Sequence, residues 1–342
     1  MPSTGKAVAF PAPEVHACVT VQAEFLGDGP PLATSFGPGV NRYAVRHATF
    51  EVVGEVSEYV EYTLEAGVAT CTGGGQLLLM EGGVHYRVLR HVRLGIMKGH
   101  ILRGFDLRQE CVAVLTAEKP LWALAFSPCH PIGAVCDFEL DMEGHMALEG
   151  QLAYLNGAAS TLDEEHDANV GLVFHTPLEG LSVAGYYNDV ELDLGYSDDW
   201  EQLHGNGYRA GIGIDCQTHS AFLRGEYYAG KGFARGVGMG EYETSVHPED
   251  HEMRAYYVEG AYLIATGFQA APYVQPYARY QVWDRASNGP EDLKSRYATV
   301  GITMGLGDGD SSLRLDYETP TSVPAAAEEE ASRLVVRLQA KL

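Results

Sequence analysis

The sequence lacks any apolar run long enough to cross a membrane as a helix. Its longest apolar stretches are a few residues, whereas a spanning helix needs about 20. This excludes a helical membrane protein. It does not exclude a β-barrel, whose strands of about 9–11 residues cross with alternating apolar and polar positions.

Positive charge is also in short supply. The 342 residues hold 23 Lys and Arg against 46 Asp and Glu, a net charge of −23, and lysine is scarce. Nucleic acid is therefore excluded as a partner, because phosphate binding requires a basic surface. The chain still folds, since 46% of its residues are hydrophobic and 20% are charged.

Motifs of cofactor and metal chemistry are absent. There is no GxSxG, HExxH or Walker sequence, so we expect no enzyme and no cofactor. His247 and His251 lie four residues apart, but Pro248 between them predicts a loop, and we expect no metal site.

The cysteines fit no CxxC pattern. They either form a disulfide, for which Cys129 and Cys136 are the candidates, or act as small apolar residues on strand faces. The six positions are Cys18, Cys71, Cys111, Cys129, Cys136 and Cys216. The N-terminus shows no signal peptide, so an exported protein would lack its leader in this sequence.

What the sequence does contain is alternation with a period of two, which predicts strands. In 271–284, Val274, Ala278, Tyr280 and Val282 alternate with Gln275, Arg279 and Gln281. Comparable runs recur along the chain at 18–26, 42–54, 56–68, 77–88, 90–99, 132–142, 145–155, 167–176, 180–190, 207–216, 218–229, 252–265, 270–284, 295–306, 311–318 and 331–342.

These runs predict an all-β fold: a closed antiparallel up-and-down transmembrane β-barrel of about 16 strands. Residues 18–342 form its single domain, and residues 1–17 are an extension expected to be poorly ordered. Tight connections are predicted at 143–144 and 266–269. Long ones are predicted at 99–131, 156–166, 191–206, 230–251 and 319–330.

Two models compete over which face is inside. A soluble sandwich buries the apolar face, whereas a membrane barrel turns that face to lipid. Strand length, the scarcity of lysine on the polar face and aromatic residues near strand ends favour the barrel. The aromatic residues proposed for the membrane interface are Tyr43, Tyr256, Tyr257, Trp283, Tyr297 and Tyr317. We therefore expect Ala278 to face lipid and Arg279 to face the lumen.

Several segments resemble the phosphate-selective porin O and P family, in the order of that family's motifs. They are NRYAVRHATFEVVGE (41–55), LMEGGVHY (79–86), VRLGIMKG (92–99), FSPCHPIG (126–133), YLNG (154–157), GEYY (225–228), QPYARY (275–280) and RLQAKL (337–342). The resemblance implies a sixteen-stranded outer-membrane barrel, commonly a trimer, that passes small solutes by diffusion.

The resemblance also implies that the long loop after the fifth strand folds into the lumen as a constriction. That loop is 99–131, and Lys98 directly before it is predicted to line the pore together with the loop. Its charged residues are Arg103, Asp106, Arg108, Glu110, Glu118 and Lys119.

Alternation places further charges on the inward face: Arg93, Arg209, Arg224, Arg279, Arg314, Glu61, Glu65, Glu226 and Asp316. These side chains either create a transverse field that selects hydrated solutes or pair across neighbouring strands. The resulting prediction is a porin of the bacterial outer membrane for small hydrophilic solutes or ions. It would be a homotrimer in contact with outer-membrane lipid and lipopolysaccharide. The alternatives are a plugged structural or adhesive barrel and a soluble β-sandwich binding protein.

Overall fold

The computed structural model describes ten segments of the chain and the single residue 126. The segments are 12–26, 42–69, 78–105, 131–156, 166–196, 202–232, 252–284, 294–307, 311–322 and 332–341. Their strands are β1 (Glu14–Leu26), β2 (Arg42–Ser57), β3 (Val60–Ala69), β4 (Leu78–Leu89), β5 (Val92–Lys98), β6 (Ile132–Asp141), β7 (Ala147–Asn156), β8 (His166–His175), β9 (Leu181–Tyr196), β10 (Gln202–Gln217), β11 (Ala221–Lys231), β12 (Glu252–Tyr262), β13 (Ile264–Phe268), β14 (Ala271–Asp284), β15 (Lys294–Leu306), β16 (Ser311–Ser322) and β17 (Arg333–Lys341).

The strands form one closed antiparallel sheet. Each strand pairs with its neighbours in the chain, and β1 pairs with β17, with Thr20 opposite Gln339, to close the ring. Both β12 and β13 pair with β14, so they count as one barrel strand interrupted at Leu263. The seventeen segments therefore make sixteen barrel strands, which confirms the predicted up-and-down barrel.

Strand bounds differ from the prediction at a few places. β1 begins at Glu14, four residues before the predicted start. β9 ends at Tyr196 and β10 begins at Gln202, so most of the long loop predicted at 191–206 is strand. The prediction relied on apolar alternation. Polar residues and glycines at these strand ends continue the backbone pairing of the sheet, but they do not continue that alternation.

Connection lengths alternate around the barrel. The connections at 58–59, 90–91, 142–146, 176–180, 218–220, 269–270 and 307–310 are short. The other connections in the chain are mostly longer. Because neighbouring strands are antiparallel, these seven connections lie at one rim, here called the short-turn end, and the others lie at the long-loop end. At 142–146, Gly144 and His145 take φ values of 76° and 65° to reverse the chain.

The polar face lies inside, as expected for a membrane barrel. On β14, Tyr277, Arg279 and Gln281 are 5%, 3% and 2% exposed, whereas Tyr280 on the opposite face is 40% exposed. The same contrast holds around the ring, where outward Val84, Val258 and Val300 are more than half exposed. Val282 is an exception: its position in the alternation predicts an outward side chain, but it is 1% exposed. The described outer wall is an apolar band of the kind that contacts lipid.

The aromatic residues proposed for the membrane interface are only partly there. Tyr256 and Tyr317 are outward and exposed. Tyr257, Trp283 and Tyr297 are buried on the inward face, because each lies one position out of phase with the outer face of its strand. The Tyr43 side chain lies outside the described residues.

Two further features complete the fold. The described residues contain no helix that is long and apolar enough to span a membrane. Cys136 and Cys216 form no disulfide, so the candidate pairing of Cys136 is wrong, while Cys129 lies outside the described residues.

The outer band can be tested with Ala278→Arg, at the middle of β14. We expect the free energy of unfolding to fall by about 2–4 kcal/mol, because a guanidinium would face the apolar membrane interior. The measurement is a reversible urea titration of the protein in lipid vesicles. The matched control is Thr63→Arg on the half-buried inner wall of β3, which should cost less than about 1 kcal/mol. Equal costs for the two variants would contradict the assignment of the faces.

Candidate functional site in the barrel lumen

A chain segment lies inside the barrel directly after β5. Its described part is residues 99–105, together with Phe126 further along, and residues 101–104 and 126 are buried. Ile101 packs with Val135, Ala153 and Leu155, on the inner walls of β6 and β7. This segment, here called the lumen segment, is the start of the predicted constriction loop.

A second apolar contact continues along the wall. Leu102 packs with Val173 of β8 and Ala184 of β9, and Phe105 packs against the same cluster. The ring of Phe126 lies 5.7 Å from that of Tyr228 on β11. The lumen segment therefore covers the inner wall from β6 to β11.

Polar wall residues hold the backbone of the lumen segment. The Leu102 N–H donates to Oε1 of Gln151 at 2.8 Å, and the Asn169 amide donates to the Leu102 carbonyl at 3.3 Å. The Phe105 N–H donates to Oε1 of Glu226 at 2.6 Å, and the Tyr257 hydroxyl donates to the other Glu226 oxygen at 2.5 Å. A peptide group inside the barrel needs such partners, because an unsatisfied buried N–H or C=O is costly.

Two glycines make the close approach possible. A Cβ on Gly171 of β8 would lie 2.2 Å from the Leu102 carbonyl oxygen. Gly104 has a φ of +91°, and a Cβ there would lie 2.4 Å from Glu226. Both positions exclude a side chain for as long as the lumen segment is seated.

Arg103 is the charged residue of the described lumen segment. It is 0% exposed, and its Nη2 lies 3.8 Å from Oδ2 of Asp167 on β8. Asn188 donates to the same Asp167 oxygen at 3.3 Å. This arginine therefore lies against the wall and not in open water.

Charges on the wall from β10 to β14 alternate in sign across neighbouring strands. The Arg224 Nε lies 3.3 Å from Asp215, and its Nη1 lies 3.9 Å from Glu259. The Arg279 Nη2 lies 2.6 Å from Glu259, and its guanidinium stacks 5.1 Å from the centre of the Tyr257 ring. All four charged residues are less than 9% exposed.

Other inward arginines are held in the same way. Arg333 Nη2 lies 2.8 Å from Oε1 of Glu318, and Arg337 donates to Oε1 of Gln22 on β1 at 2.9 Å. Arg209 donates to the carbonyls of Lys231 and Gly232, both at 2.6 Å. These charged side chains of β10–β17 are therefore held by contacts between neighbouring strands.

The wall from β2 to β6 differs, because most of its inward side chains are half-buried. Glu51, Glu65 and Glu81 lie directly opposite one another on β2, β3 and β4. Next to them, Glu61 contacts both Arg87 and Arg93, whose side chains are 41% and 48% exposed. Water therefore reaches the lumen along this side, here called the open wall.

Three histidines pair with carboxylates along and beside the open wall. His85 lies 3.4 Å from Asp137, His100 contacts Glu81, and His175 lies 2.8 Å from Glu149. Beneath the lumen segment is a cavity of about 470 Å³, lined by Arg87, Arg90, Arg93, His100, Asp137 and Glu149 among others. Among the described residues, no group of three His, Cys, Asp or Glu side chains could hold a metal ion.

The candidate pore residues fall into three groups. Inward and described are Arg93, Arg103, Arg209, Arg224, Glu226, Arg279 and Arg314. Asp106, Arg108, Glu110 and Lys119 lie outside the described residues, as do His247 and His251. Lys98 shares the alternation of outward Ile96, which is 71% exposed, so its assignment to the pore lining is corrected: its strand position faces outward.

Four carboxylates of the inner wall are not among the residues predicted from the sequence: Glu51, Glu81, Asp137 and Glu149. The alternation does predict that Glu51 faces inward, because the apolar residues Phe50 and Val52 lie on either side of it. The alternation does not predict the register between strands, and it is this register that places Glu51, Glu65 and Glu81 side by side. The contacts between residues 101–105 and the wall also cannot be predicted from the sequence, because these residues show no periodic pattern.

Solved structures similar to this chain include outer-membrane porins and channels. OmpF of Salmonella typhi aligns with a TM-score of 0.65 at 11% identity, over 96% of this chain and 97% of that one. The anion-selective porin of Comamonas acidovorans gives 0.60 at 10% identity, over 96% and 98%. The outer-membrane channel DcaP of Acinetobacter baumannii also gives 0.60 at 10%, over 96% and 97%. These likenesses define the fold class, a porin-type transmembrane β-barrel.

No family model matches the chain, and no curated protein matches it. The kind of porin-type barrel is therefore inferred from the residues that line the lumen.

The charge ladder can be tested with Arg279→Ala. We expect the free energy of unfolding to fall by about 3–5 kcal/mol, because the buried Glu259 loses its nearest cation. The control is Arg93→Ala on the open wall, where an exposed pair contributes about 0–1 kcal/mol. Both variants are measured by urea titration. Equal losses of unfolding free energy would contradict the assignment of Arg279 to a buried ion pair and of Arg93 to an exposed one.

The seating of the lumen segment can be tested with Gly171→Ala. The new Cβ would push Leu102 away from β8 towards the open wall, so we expect a lower single-channel conductance. We also expect a stability loss of about 1–3 kcal/mol. The control is Gly185→Ala on the adjacent strand β9, where a Cβ meets only a backbone oxygen at 3.8 Å. Unchanged conductance and stability in Gly171→Ala would show that the segment does not rest on β8.

Proposed function

We propose that this protein is a porin of the bacterial outer membrane, through which small hydrophilic solutes or ions diffuse passively. The observation that carries the proposal is the open wall: hydrated, charged side chains line one side of the lumen, next to an anchored segment that narrows it. The apolar outer band and the porins and channels among similar structures support the same function.

We further propose that the protein catalyses no reaction. Most of the lumen carboxylates described above hold arginines, histidines or the lumen segment. Such contacts serve the structure and the field of a pore.

The open wall favours cations over anions. Its half-buried inward carboxylates are Glu51, Glu61, Glu65, Glu81 and Asp137, with Glu149 beside it on β7, and its arginines are Arg87 and Arg93. Like-charged residues directly opposite one another attract counter-ions from solution. The arginines of β10–β14 contribute less to the field, because buried carboxylates neutralise them.

The order of motifs also supports a distant relation to the phosphate-selective porin O and P family. We propose the relation for the architecture and not for the preferred solute, because phosphate would meet a predominantly acidic wall. A homotrimer in contact with outer-membrane lipid and lipopolysaccharide fits the exposed apolar band, which offers area for both lipid and a second copy.

Conductance in a planar bilayer under a salt gradient tests the proposal. We expect stepwise single-channel currents and a reversal potential of the sign that marks cation preference. Substituting Glu51→Gln, Glu65→Gln and Glu81→Gln together should move the reversal potential towards zero and leave the steps in place. The matched control changes three exposed glutamates in short turns: Glu58→Gln, Glu143→Gln and Glu179→Gln.

The outcomes separate the parts of the proposal. Anion preference in a conducting protein would overturn the role of the open wall and leave the porin standing. Insertion without conductance would overturn the porin and favour a plugged structural or adhesive barrel. The lumen segment, which fills one side of the barrel, is the feature that makes this second function worth testing.

A further inference from the structure

The cavity beneath the lumen segment carries charges of both signs, and the two signs lie on separate hairpins. Its volume of about 470 Å³ is within the range of small-molecule sites. The cations on β4, β5 and the turn between them are Arg87, Arg90 and Arg93. The carboxylates on β6 and β7 are Asp137, Glu139, Asp141 and Glu149.

Two like-charged pairs lie within this cavity. Arg87 is directly opposite Arg93, and Glu139 is directly opposite Glu149. We call them the arginine pair and the glutamate pair. Like charges in directly opposite positions destabilise a sheet, so each pair is placed to attract a ligand group of the other sign. The two hairpins adjoin, because β5 pairs with β6.

Neighbouring residues compensate these charges only in part. Glu61 of β3 contacts both members of the arginine pair, so two cations share one carboxylate. The side chains of Arg87 and Arg93 remain 41% and 48% exposed. Glu149 contacts one histidine, while Glu139 is exposed and has no ion-pair partner in the described part of the chain. The cavity therefore offers water a positive side and a negative side.

The lumen segment forms another side of the cavity. Its residues Ile101 and Leu102 line the cavity together with Gln151. Gln151 accepts from the Leu102 N–H at 2.8 Å and donates to Asp137 at 2.8 Å, so it ties the segment to the charged wall. All four residues of the two pairs lie within three residues of a short connection. A solute that passes the short-turn end therefore passes this cavity.

We propose that the cavity binds a zwitterionic solute whose carboxylate and ammonium groups lie at its two ends, such as a short peptide. Arg87 and Arg93 donate to the carboxylate, because guanidinium and carboxylate groups match in geometry. Glu139 and Glu149 accept from the ammonium group. The inference deepens the proposed porin function by naming a class of solute, and the passage of that solute rests on the porin function.

The spacing of the strands sets the length of the solute. The arginine pair spans β4 and β5, and the glutamate pair spans β6 and β7. Two strand spacings of about 4.8 Å, or about 10 Å at the backbone, separate the middles of the pairs. An extended dipeptide is about 7 Å long, and the long side chains cover the remaining distance. A single α-amino acid, which carries both charges on one carbon atom, is too short to reach both pairs.

The test uses the full chain folded in detergent and three probes of similar size. They are glycylglycine, N-acetylglycylglycine, which keeps only the negative charge, and glycylglycine amide, which keeps only the positive charge. Binding is measured by saturation-transfer NMR titration at about pH 6.5, where the peptide amine is protonated. We expect glycylglycine to bind about fivefold more tightly than either blocked probe, because an exposed ion pair contributes up to about fivefold.

Two variants assign the ends of the solute. Arg93→Gln should weaken the binding of glycylglycine and N-acetylglycylglycine about fivefold and leave glycylglycine amide unaffected. Glu139→Gln should weaken glycylglycine and glycylglycine amide by the same factor and leave N-acetylglycylglycine unaffected. Both side chains are exposed, so both variants are expected to fold. The matched controls are Arg254→Gln and Glu143→Gln, exposed residues outside the cavity, which should not change the binding of any probe.

Three outcomes would overturn the proposal: equal binding of the three probes, an equal effect of Arg93→Gln on the acetylated and the amidated peptide, and binding of glycine as tight as that of glycylglycine. Single-channel conductance separates this inference from the porin function. Selective binding without ion current would keep the site and overturn the passage of the solute. Ion current without selective binding would keep the porin and overturn the site.

Discussion

The pairing of β1 with β17 is the interaction on which the rest of the molecule depends. Strands in a membrane must satisfy every backbone hydrogen bond within the protein, and only a closed ring does so. The contact between Arg337 and Gln22 reinforces closure from the inside, across 315 residues of sequence. Closure also gives the chain an inside, where buried arginines and glutamates can be paired away from lipid.

The interior is divided by the lumen segment. Where residues 101–105 cover the wall, side chains pack as in a protein core, with apolar clusters at Ile101 and Leu102 and hydrogen bonds to Gln151 and Glu226. Where the wall is uncovered, Arg87, Arg93 and the facing glutamates remain in contact with water. A single stretch of chain thus decides which charges act on a passing ion and which only stabilise the fold.

Alternation was sufficient to predict the barrel and the inward direction of Arg224 and Arg279, because a period of two fixes the face of every residue in a strand. The exceptions are residues whose phase differs from what their motif or position suggests: Lys98 stands in the motif VRLGIMKG but shares the outward phase of Ile96, and Tyr257, Trp283 and Tyr297 lie near strand ends but in the inward phase of their strands. The partners of Arg279 and the glycine at 171 could not be predicted, since both depend on which strands meet and at what register. The lumen segment contacts strands far along the sequence, and no local pattern records such contacts.

Those distant contacts impose an order of assembly. Leu102 finds Gln151 after 49 residues and Phe105 finds Glu226 after 121, so the segment cannot be seated until β11 has joined the sheet. Long-range contacts form slowly, because the loop they close must lose its entropy first. The narrowing of the lumen is therefore a late step of assembly, because the sheet must extend at least to β11 before the segment has its full set of partners.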